Sequence, residues 1–436
     1  MSVDAQSAPR RGRIRHHLGW QVASNLGVAA IGGVYLIYLG RALGLEKFGL
    51  YALITAISTF AFNSADPRTH EAIVKFTANW ALHPAAAGRS LSVLFIADCF
   101  ARVGVCLLLA VAAPLLASAL LHGSAAGLLL VAIIGTFLSK LGNNPAIGVL
   151  RVFGRFEWQA RLLLSSWIIK LVATIAAIAS GGGILAVLLI AYSCDTGANF
   201  LAIARATQEL RTAGLWTWLR SGGRESGLNP EIKRFLQNGV GVSLADSFIR
   251  ELDTTVVGWS MPLEAVGVYR MAKNVVLLVW RGLDPVCVVL MPEFARLAAA
   301  GNYSAIIRIG TRATGVVLIV ALAAFVGCWA LLPFVVPIVL GPQFAGVTSA
   351  TVIMLVGLVV GAPLTWNYAL WVAAGKLGMQ LRANVLAGLC AGVLFVILTP
   401  RYGVHGASGA FAVAISLPFV LSFVLWQVYT RRTRLG

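Results

Sequence analysis

Charge is scarce in this chain, and acid is scarcer still. Only 11% of its 436 residues are charged, with 16 Asp+Glu against 34 Lys+Arg. An average soluble domain carries roughly a quarter. Long polar stretches are also missing. The longest, about 205–234, is shorter than the ~50 residues a compact domain needs. Cysteine is sparse: Cys99, Cys106, Cys194, Cys287, Cys328 and Cys390 all fall in apolar stretches. That spacing offers neither a disulfide framework nor a CxxC metal site. The histidines are scattered, and no HExxH, GxSxG or Walker loop occurs. The chain therefore does not read as an enzyme, and no cofactor is expected. These absences exclude a soluble globule, a disordered chain, a coiled coil and an anchored soluble domain.

What the chain has is apolar length. Hydrophobic residues make up 59% of it, and the mean hydropathy is +0.85. A transmembrane helix needs about 20 mainly apolar residues. Twelve such runs occur, near 18–40, 48–66, 90–120, 125–150, 162–181, 184–204, 235–260, 265–291, 313–340, 345–373, 382–399 and 406–430. The fold class expected is an all-α polytopic membrane protein with twelve transmembrane helices. The basic N-terminus precedes an apolar run too long for a signal peptide, so that run counts as the first span.

Arginine and lysine orient the spans. With both termini cytoplasmic, 24 of them lie in cytoplasmic segments and 3 in the opposite loops. This bias is the positive-inside signature. It accounts for the net charge of +18 without nucleic acid, and it suits a membrane with an anionic inner leaflet. The seven remaining basic residues, Arg102, Lys140, Lys170, Arg250, Arg270, Lys273 and Arg281, lie inside spans. Charge at bilayer depth is costly enough to mark functional candidates.

The two halves echo each other. Leu45-Glu46-x-x-Gly49-x-Tyr51 recurs as Leu263-Glu264-x-x-Gly267-x-Tyr269, and Asp66-Pro67 as Asp284-Pro285, both at an offset of 218. Gly154-Arg155-xxx-Gln159-x-Arg161 recurs as Gly375-Lys376-xxx-Gln380-x-Arg382. Six spans per half give parallel repeats. The domain reading is a basic tail at 1–17, an N-lobe at 18–204, a basic cytoplasmic linker at 205–234, a C-lobe at 235–430 and a cytoplasmic C-terminus at 431–436. Two six-helix lobes around a central cavity form a transporter architecture with its substrate site at the lobe interface.

The seventh and eighth spans carry the polar faces. Asp246, Arg250 and Asp253 stand at i, i+4, i+7; Arg270, Lys273, Asn274, Arg281 and Asp284 form a second stripe. Glu251 lies about 100° round from Arg250, and the flanking Val, Leu and Trp positions read as facing lipid or protein. A cationic wet face suits an anionic ligand, because arginine grips phosphate bidentately and lysine adds a point charge. Arg250, Arg270, Lys273, Asn274 and Arg281 are the candidate binding residues. Internal pairing is the competing reading, Arg250 with Asp246 or Asp253 and Arg281 with Asp284. Asp246, Asp253, Asp284, Asp195 and Asn25 are candidates for ion coupling or pairing. In the N-lobe, Asp98 and Arg102 read as a structural i, i+4 pair and Lys170 as snorkelling. Asn143-Asn144-Pro145 reads as a helix break, and Asp66-Pro67 and Asp284-Pro285 as kinks.

Several strings also resemble a known family. Arg41-x-Leu43-Gly44-xxx-Phe48-Gly49-x-Tyr51 is similar to the opening signature of Wzx-type polysaccharide-biosynthesis flippases, as is Val266-Gly267-x-Tyr269. Pro292-Glu293-Phe294-Ala295-Arg296 and Pro400-Arg401-Tyr402-Gly403-Val404-x-Gly406-Ala407 resemble further family motifs. One departure is Asp66-Pro67-Arg68-Thr69, where many relatives have Asp-Leu-Gly-Leu. The resemblance implies the multidrug/oligosaccharidyl-lipid/polysaccharide exporter superfamily. It also implies flipping of an undecaprenyl-diphosphate-linked oligosaccharide to the periplasmic leaflet by alternating access, for O-antigen, capsule or exopolysaccharide. Coupling to H+ or Na+, a monomeric state and association with polymerase machinery go with it. The rival readings are a drug or metabolite exporter of the same superfamily and a membrane polymerase or glycosyltransferase.

Overall fold

A run of apolar residues closes its own backbone hydrogen bonds only as a helix, so hydropathy should translate directly into helices. The computed structural model, which describes residues 11–77, 80–121, 125–217, 230–283, 290, 293–294, 296–298, 300–374 and 376–435, shows this. Its helices are α1 (Arg11–Leu43), α2 (Leu45–Ser64), α3 (Thr69–Thr77), α4 (Pro84–Leu120), α5 (Ala126–Lys140), α6 (Asn143–Val152), α7 (Phe156–Ala179) and α8 (Ile184–Thr212). They continue as α9 (Pro230–Arg250), α10 (Leu252–Ser260), α11 (Leu263–Leu283), α12 (Tyr303–Val339), α13 (Gly346–Gly361), α14 (Trp366–Ala373) and α15 (Leu377–Leu435). No strand occurs among the described residues.

Nine segments of the described residues are long and apolar enough to cross a membrane. One of them, Gly378–Val428, has 51 residues. At 1.5 Å per residue it is about 75 Å long, more than twice a bilayer core. It divides at Gly403, whose φ of 60° and ψ of −139° leave the helical region, a conformation that glycine adopts without a Cβ penalty. Pro230–Ser260 and Leu263–Leu283, which are richer in charge, complete the twelve crossings. The fold is an all-α polytopic membrane protein. Leu108, Val111, Leu115, Ile319, Phe334, Ile338 and Leu389 lie exposed along it, as a lipid-facing surface requires.

The chain divides into two compact units. Unit 1 comprises 1–32, 61–118 and 123–244; unit 2 comprises 33–60, 119–122 and 245–436. Unit 1 is built around Ile73, Leu91, Leu94, Val149, Leu150, Leu210 and Leu236. Its second crossing is broken rather than kinked: α2 ends at Ser64, and Asp66–Arg68 is non-helical before α3 begins. Arg68 takes φ 53°, the one positive φ outside glycine among the described residues. That is the position where the family pattern resembled above carries glycine. The Arg68 guanidinium donates to Ser243 Oγ at 3.2 Å and to Glu71 Oε1 at 3.2 Å. A left-handed conformation costs a residue with a Cβ roughly 1–2 kcal/mol. Arg68→Gly and Arg68→Ala lose the same side-chain bonds, so the glycine variant should be the more stable by about 1 kcal/mol. Thermal unfolding of the two purified variants checks this; equal stability would mean the backbone relaxes out of the left-handed region.

Unit 2 explains the resembled motifs physically. Arg41 donates to the carbonyls of Ile338 and Val339 at 3.1 and 3.3 Å. It thereby caps the C-terminus of α12, where carbonyls lack intrahelical partners. Phe48 packs edge-on to Phe344. Gly49 faces the backbone of Leu263, and Gly267 faces that of Leu45. The two echoing segments therefore pack on each other. Further along, Phe294 is fully buried beside Trp366 and Trp371. Arg296 donates twice to Glu293, at 2.6 and 3.1 Å, and these bonds hold the Glu293 carboxyl below its usual range. Cys99, Cys106, Cys194, Cys328 and Cys390 are free thiols; Cys287 lies outside the described residues.

Candidate functional site

Two polar centres lie among the apolar helices, one in each unit. In unit 1 the broken crossings leave backbone groups without helical partners, and lipid cannot satisfy them. Arg102, 2% exposed, donates from Nη1 to the Phe62 carbonyl at 2.6 Å and from Nη2 to Asp66 Oδ2 at 3.0 Å. It also faces Asp98 Oδ1 at 3.6 Å. Asp66 further accepts from Asn144 at 2.8 and 2.9 Å and from its own turn at Arg68 N. Lys140 donates to Asn63 at 2.6 Å. Asn199 donates to the carbonyls of Leu138 and Leu141, closing the end of α5. The break after Lys140, with Gly142 at φ 69°, is thus stitched to the break at Asp66. The Asp98–Arg102 pair is one part of a larger network with Asp66 at its centre.

Lys170 does not snorkel. It is 4% exposed, its Nζ stands 2.6 Å from Asp195 Oδ1, and Trp167 lies 4.4 Å away. A buried ammonium is tolerated only with such a partner. Asp195 is thereby a pairing residue.

In unit 2 the pattern reverses one sequence assumption. The helix carrying Asp246 and Arg250 ends at Arg250, and α10 restarts at Leu252 across Glu251, at φ −127°. The i, i+4, i+7 face therefore does not run through to Asp253, because helical periodicity resets at a break. Asp253 instead points to α11. It accepts from Lys273 Nζ at 2.7–2.8 Å, from Tyr269 OH at 2.6 Å and from the Thr254 backbone N–H at 2.6 Å. Both charged side chains are about 2% exposed or less. Arg270 pairs with Glu251 at 3.2 Å and touches Thr254 Oγ1. Arg270 and Lys273, which lack acids at helical spacing, find them one helix earlier. The side chains of Asp246, Arg250 and Asn25, and Asp284 as a whole, lie outside the described residues. Asn274 is half-buried with its amide nitrogen unpartnered among them.

Beside the buried pair lies a cavity of about 330 Å³. Lys273, Arg281 and Glu251 give it charge, Asn384 an amide, and Trp280, Phe411 and Phe419 aromatic walls. Arg281 makes no ion pair among the described residues and is exposed. Lys273 sits 5.6 Å from the Phe411 ring centroid, and Trp280 stacks on Phe419 at 5.6 Å. Trp280 therefore lines the cavity; it stands seven residues from Lys273, two turns along the same face of α11. Two cations against one carboxylate, with an amide and aromatic walls, can hold an anionic group with a ring beside it. Of the five candidate binding residues, Lys273 and Arg281 meet in this cavity; Arg270 sits behind it on Glu251. Glu251, set off the polar face by its position about 100° round from Arg250, lines the cavity all the same, and Asn384, Phe411 and Phe419 were not anticipated. Asn384 and the two phenylalanines are single residues in apolar runs and carry no local signal.

Residues 15–298 match the family described as polysaccharide biosynthesis protein. No curated protein sequence matches the chain. Solved structures match its fold. The lipid II flippase MurJ, in an inward closed conformation, gives a TM-score of 0.72 at 13% identity, covering 93% of this chain and 87% of that one. An inward-facing multidrug resistance MATE family transporter of the MOP superfamily gives 0.65 at 15% identity, covering 95% and 96%. The eukaryotic MATE transporter AtDTX14 gives 0.62 at 13% identity, covering 95% and 94%. At such identities the likeness is one of fold, and that fold is the one flippases and transporters of this superfamily use. By its own match over 15–298, the chain belongs to the polysaccharide biosynthesis protein family.

Proposed function

We propose that the chain flips an undecaprenyl-diphosphate-linked oligosaccharide from the cytoplasmic to the periplasmic leaflet by alternating access, for assembly of a surface polysaccharide. The observation that carries this reading is the cavity of unit 2. Its exposed Arg281 and the paired Lys273 suit a diphosphate, and its aromatic walls suit a sugar. An exporter of organic cations would need an acidic or apolar lining instead. In this reading both termini are cytoplasmic, as the arginine and lysine bias supports, the membrane is a bacterial inner membrane, and an H+ or Na+ gradient drives the cycle.

Arg281→Gln tests it. Arg281 is exposed to the cavity and supports no ion pair among the described residues, so the protein should fold and reach the membrane. A strain lacking the gene should accumulate lipid-linked oligosaccharide on the cytoplasmic leaflet. Wild type should clear it, and Arg281→Gln should clear it at least about tenfold more slowly, as loss of a charge-assisted bond worth ~1.5–3 kcal/mol requires. Equal clearance by both would remove Arg281 from the site. Absence of accumulation in the deletion strain would sink the flippase reading.

A further inference from the structure

Gln380 first appears as a marker of the internal repeat. In the structure it is a link in a hydrogen-bond relay that ends at the cavity. Trp371 Nε1 donates to Ser422 Oγ at 2.8 Å. Ser422 Oγ donates to Gln380 Oε1 at 2.6 Å. Gln380 Nε2 donates to Asn384 Oδ1 at 2.9 Å. Trp371, Ser422 and Gln380 are each 4% exposed or less, while Asn384 lines the cavity.

The direction of this relay is not free. An indole N–H can only donate. Ser422 accepts from Trp371 and gives its single O–H to Gln380 Oε1. That fixes the carboxamide of Gln380 with oxygen toward Ser422 and nitrogen toward Asn384. Asn384 must then offer its oxygen to Gln380. Its amide nitrogen makes no hydrogen bond to a described residue, and Asn384 itself lines the cavity. A buried tryptophan thus sets which end of a distant amide a ligand meets.

We propose that this relay makes Asn384 a fixed hydrogen-bond donor that selects headgroups bearing an acceptor-only oxygen, such as an acylamino carbonyl or a uronate carboxylate, on the sugar beside the diphosphate. The inference rests on the lipid-linked saccharide reading above. A sugar hydroxyl can donate or accept, and so does not need the amide held one way round. A carbonyl or carboxylate oxygen can only accept, so a fixed donor rewards it and a flipped amide rejects it. The cations Lys273 and Arg281 serve the diphosphate, which leaves the neutral amide to read the sugar. Asn384 would touch the ligand; Trp371, Ser422 and Gln380 are positioning residues.

The test is equilibrium binding to the full-length protein in nanodiscs. Three probes are used: prenyl-diphosphate-linked N-acetylglucosamine, glucuronic acid and glucose. Wild type should bind at least one of the first two about tenfold more tightly than the glucose probe, and which one names the acceptor. Asn384→Ala should abolish that preference. Ser422→Ala, which lies outside the cavity, should weaken the preference severalfold in wild type and have no further effect in the Asn384→Ala background. Trp371→Phe should behave as Ser422→Ala does, so a folding defect in either variant leaves the other to decide. Additive effects in the double variants would overturn the relay, because independent structural roles add. Equal losses with all three probes would overturn the sugar assignment and put the amide on the diphosphate. Equal binding of all three by wild type would overturn the selectivity. Failure of wild type to bind any probe would overturn the flippase reading and this inference together.

Discussion

Lys273→Met alone should leave little folded protein, whereas Asp253→Asn combined with Lys273→Met should fold almost as well as wild type and still fail to transport. The reason is the burial of the pair. Asp253 receives Lys273, the Tyr269 hydroxyl, the Thr254 backbone N–H and, at 3.3 Å, the Thr254 hydroxyl. Neither charge reaches solvent to any useful extent. Removing the ammonium leaves a buried carboxylate without its counter-charge, a defect of about 3–5 kcal/mol. Neutralising both members removes the defect, and a buried pair replaced by neutral groups is often no less stable than before. Asparagine at 253 can still accept from Tyr269. Transport is a different quantity. Lys273 lines the cavity, and under the proposed function its charge is used there whatever the stability. Thermal unfolding in detergent, read beside lipid-linked oligosaccharide clearance, separates the two. If the double variant transports normally, the pair is structural and the cavity does not use Lys273. If Lys273→Met alone is as stable as wild type, the Asp253–Lys273 pair does not hold the fold.

The cationic stripe on α11 was legible because helical periodicity is local. Arg270, Lys273 and Arg281 share a face of α11 by spacing alone. Their partners were not legible, because pairing between helices depends on where a helix breaks. The breaks at Asp66-Pro67 and Gly142-Asn143-Asn144-Pro145 are announced by proline, glycine and asparagine. The break at Glu251 has no such residue beside it in Arg250-Glu251-Leu252-Asp253. A straight helix extrapolated through it sends Asp253 to the wrong face. The cavity walls were hidden for another reason. Asn384, Phe411 and Phe419 sit more than 100 residues beyond α11 in the chain, inside runs whose hydropathy reports only that they cross the membrane. The twelve crossings were readable because burial in lipid imposes one rule on every residue of a span. The cavity was not, because it imposes its rule on one residue per turn from several spans.

Gly49→Ala should destabilise the protein more than any other single methylene-scale change in unit 2. The echo between Leu45–Tyr51 and Leu263–Tyr269 first reads as a trace of duplication. The structure shows the two copies in contact, each presenting its glycine to the backbone of the other. A Cβ on Gly49 would stand 1.8 Å from the Leu263 carbonyl oxygen, and one on Gly267 would stand 2.7 Å from that of Leu45. A flexible side chain could move aside from such a clash; a backbone carbonyl at the start of a helix cannot. Small residues let transmembrane backbones approach this closely. Separating them means shifting the start of α11, and with it Lys273 and the Asp253 pair. The cost should therefore exceed the roughly 1–3 kcal/mol of ordinary core overpacking. Gly33→Ala is the control, since its Cβ meets nothing within 4 Å. Membrane yield and thermal unfolding of the two variants give the comparison. Similar stability for both would show that the α2–α11 contact opens without cost, and that the echo is a relic of duplication with no packing role of its own.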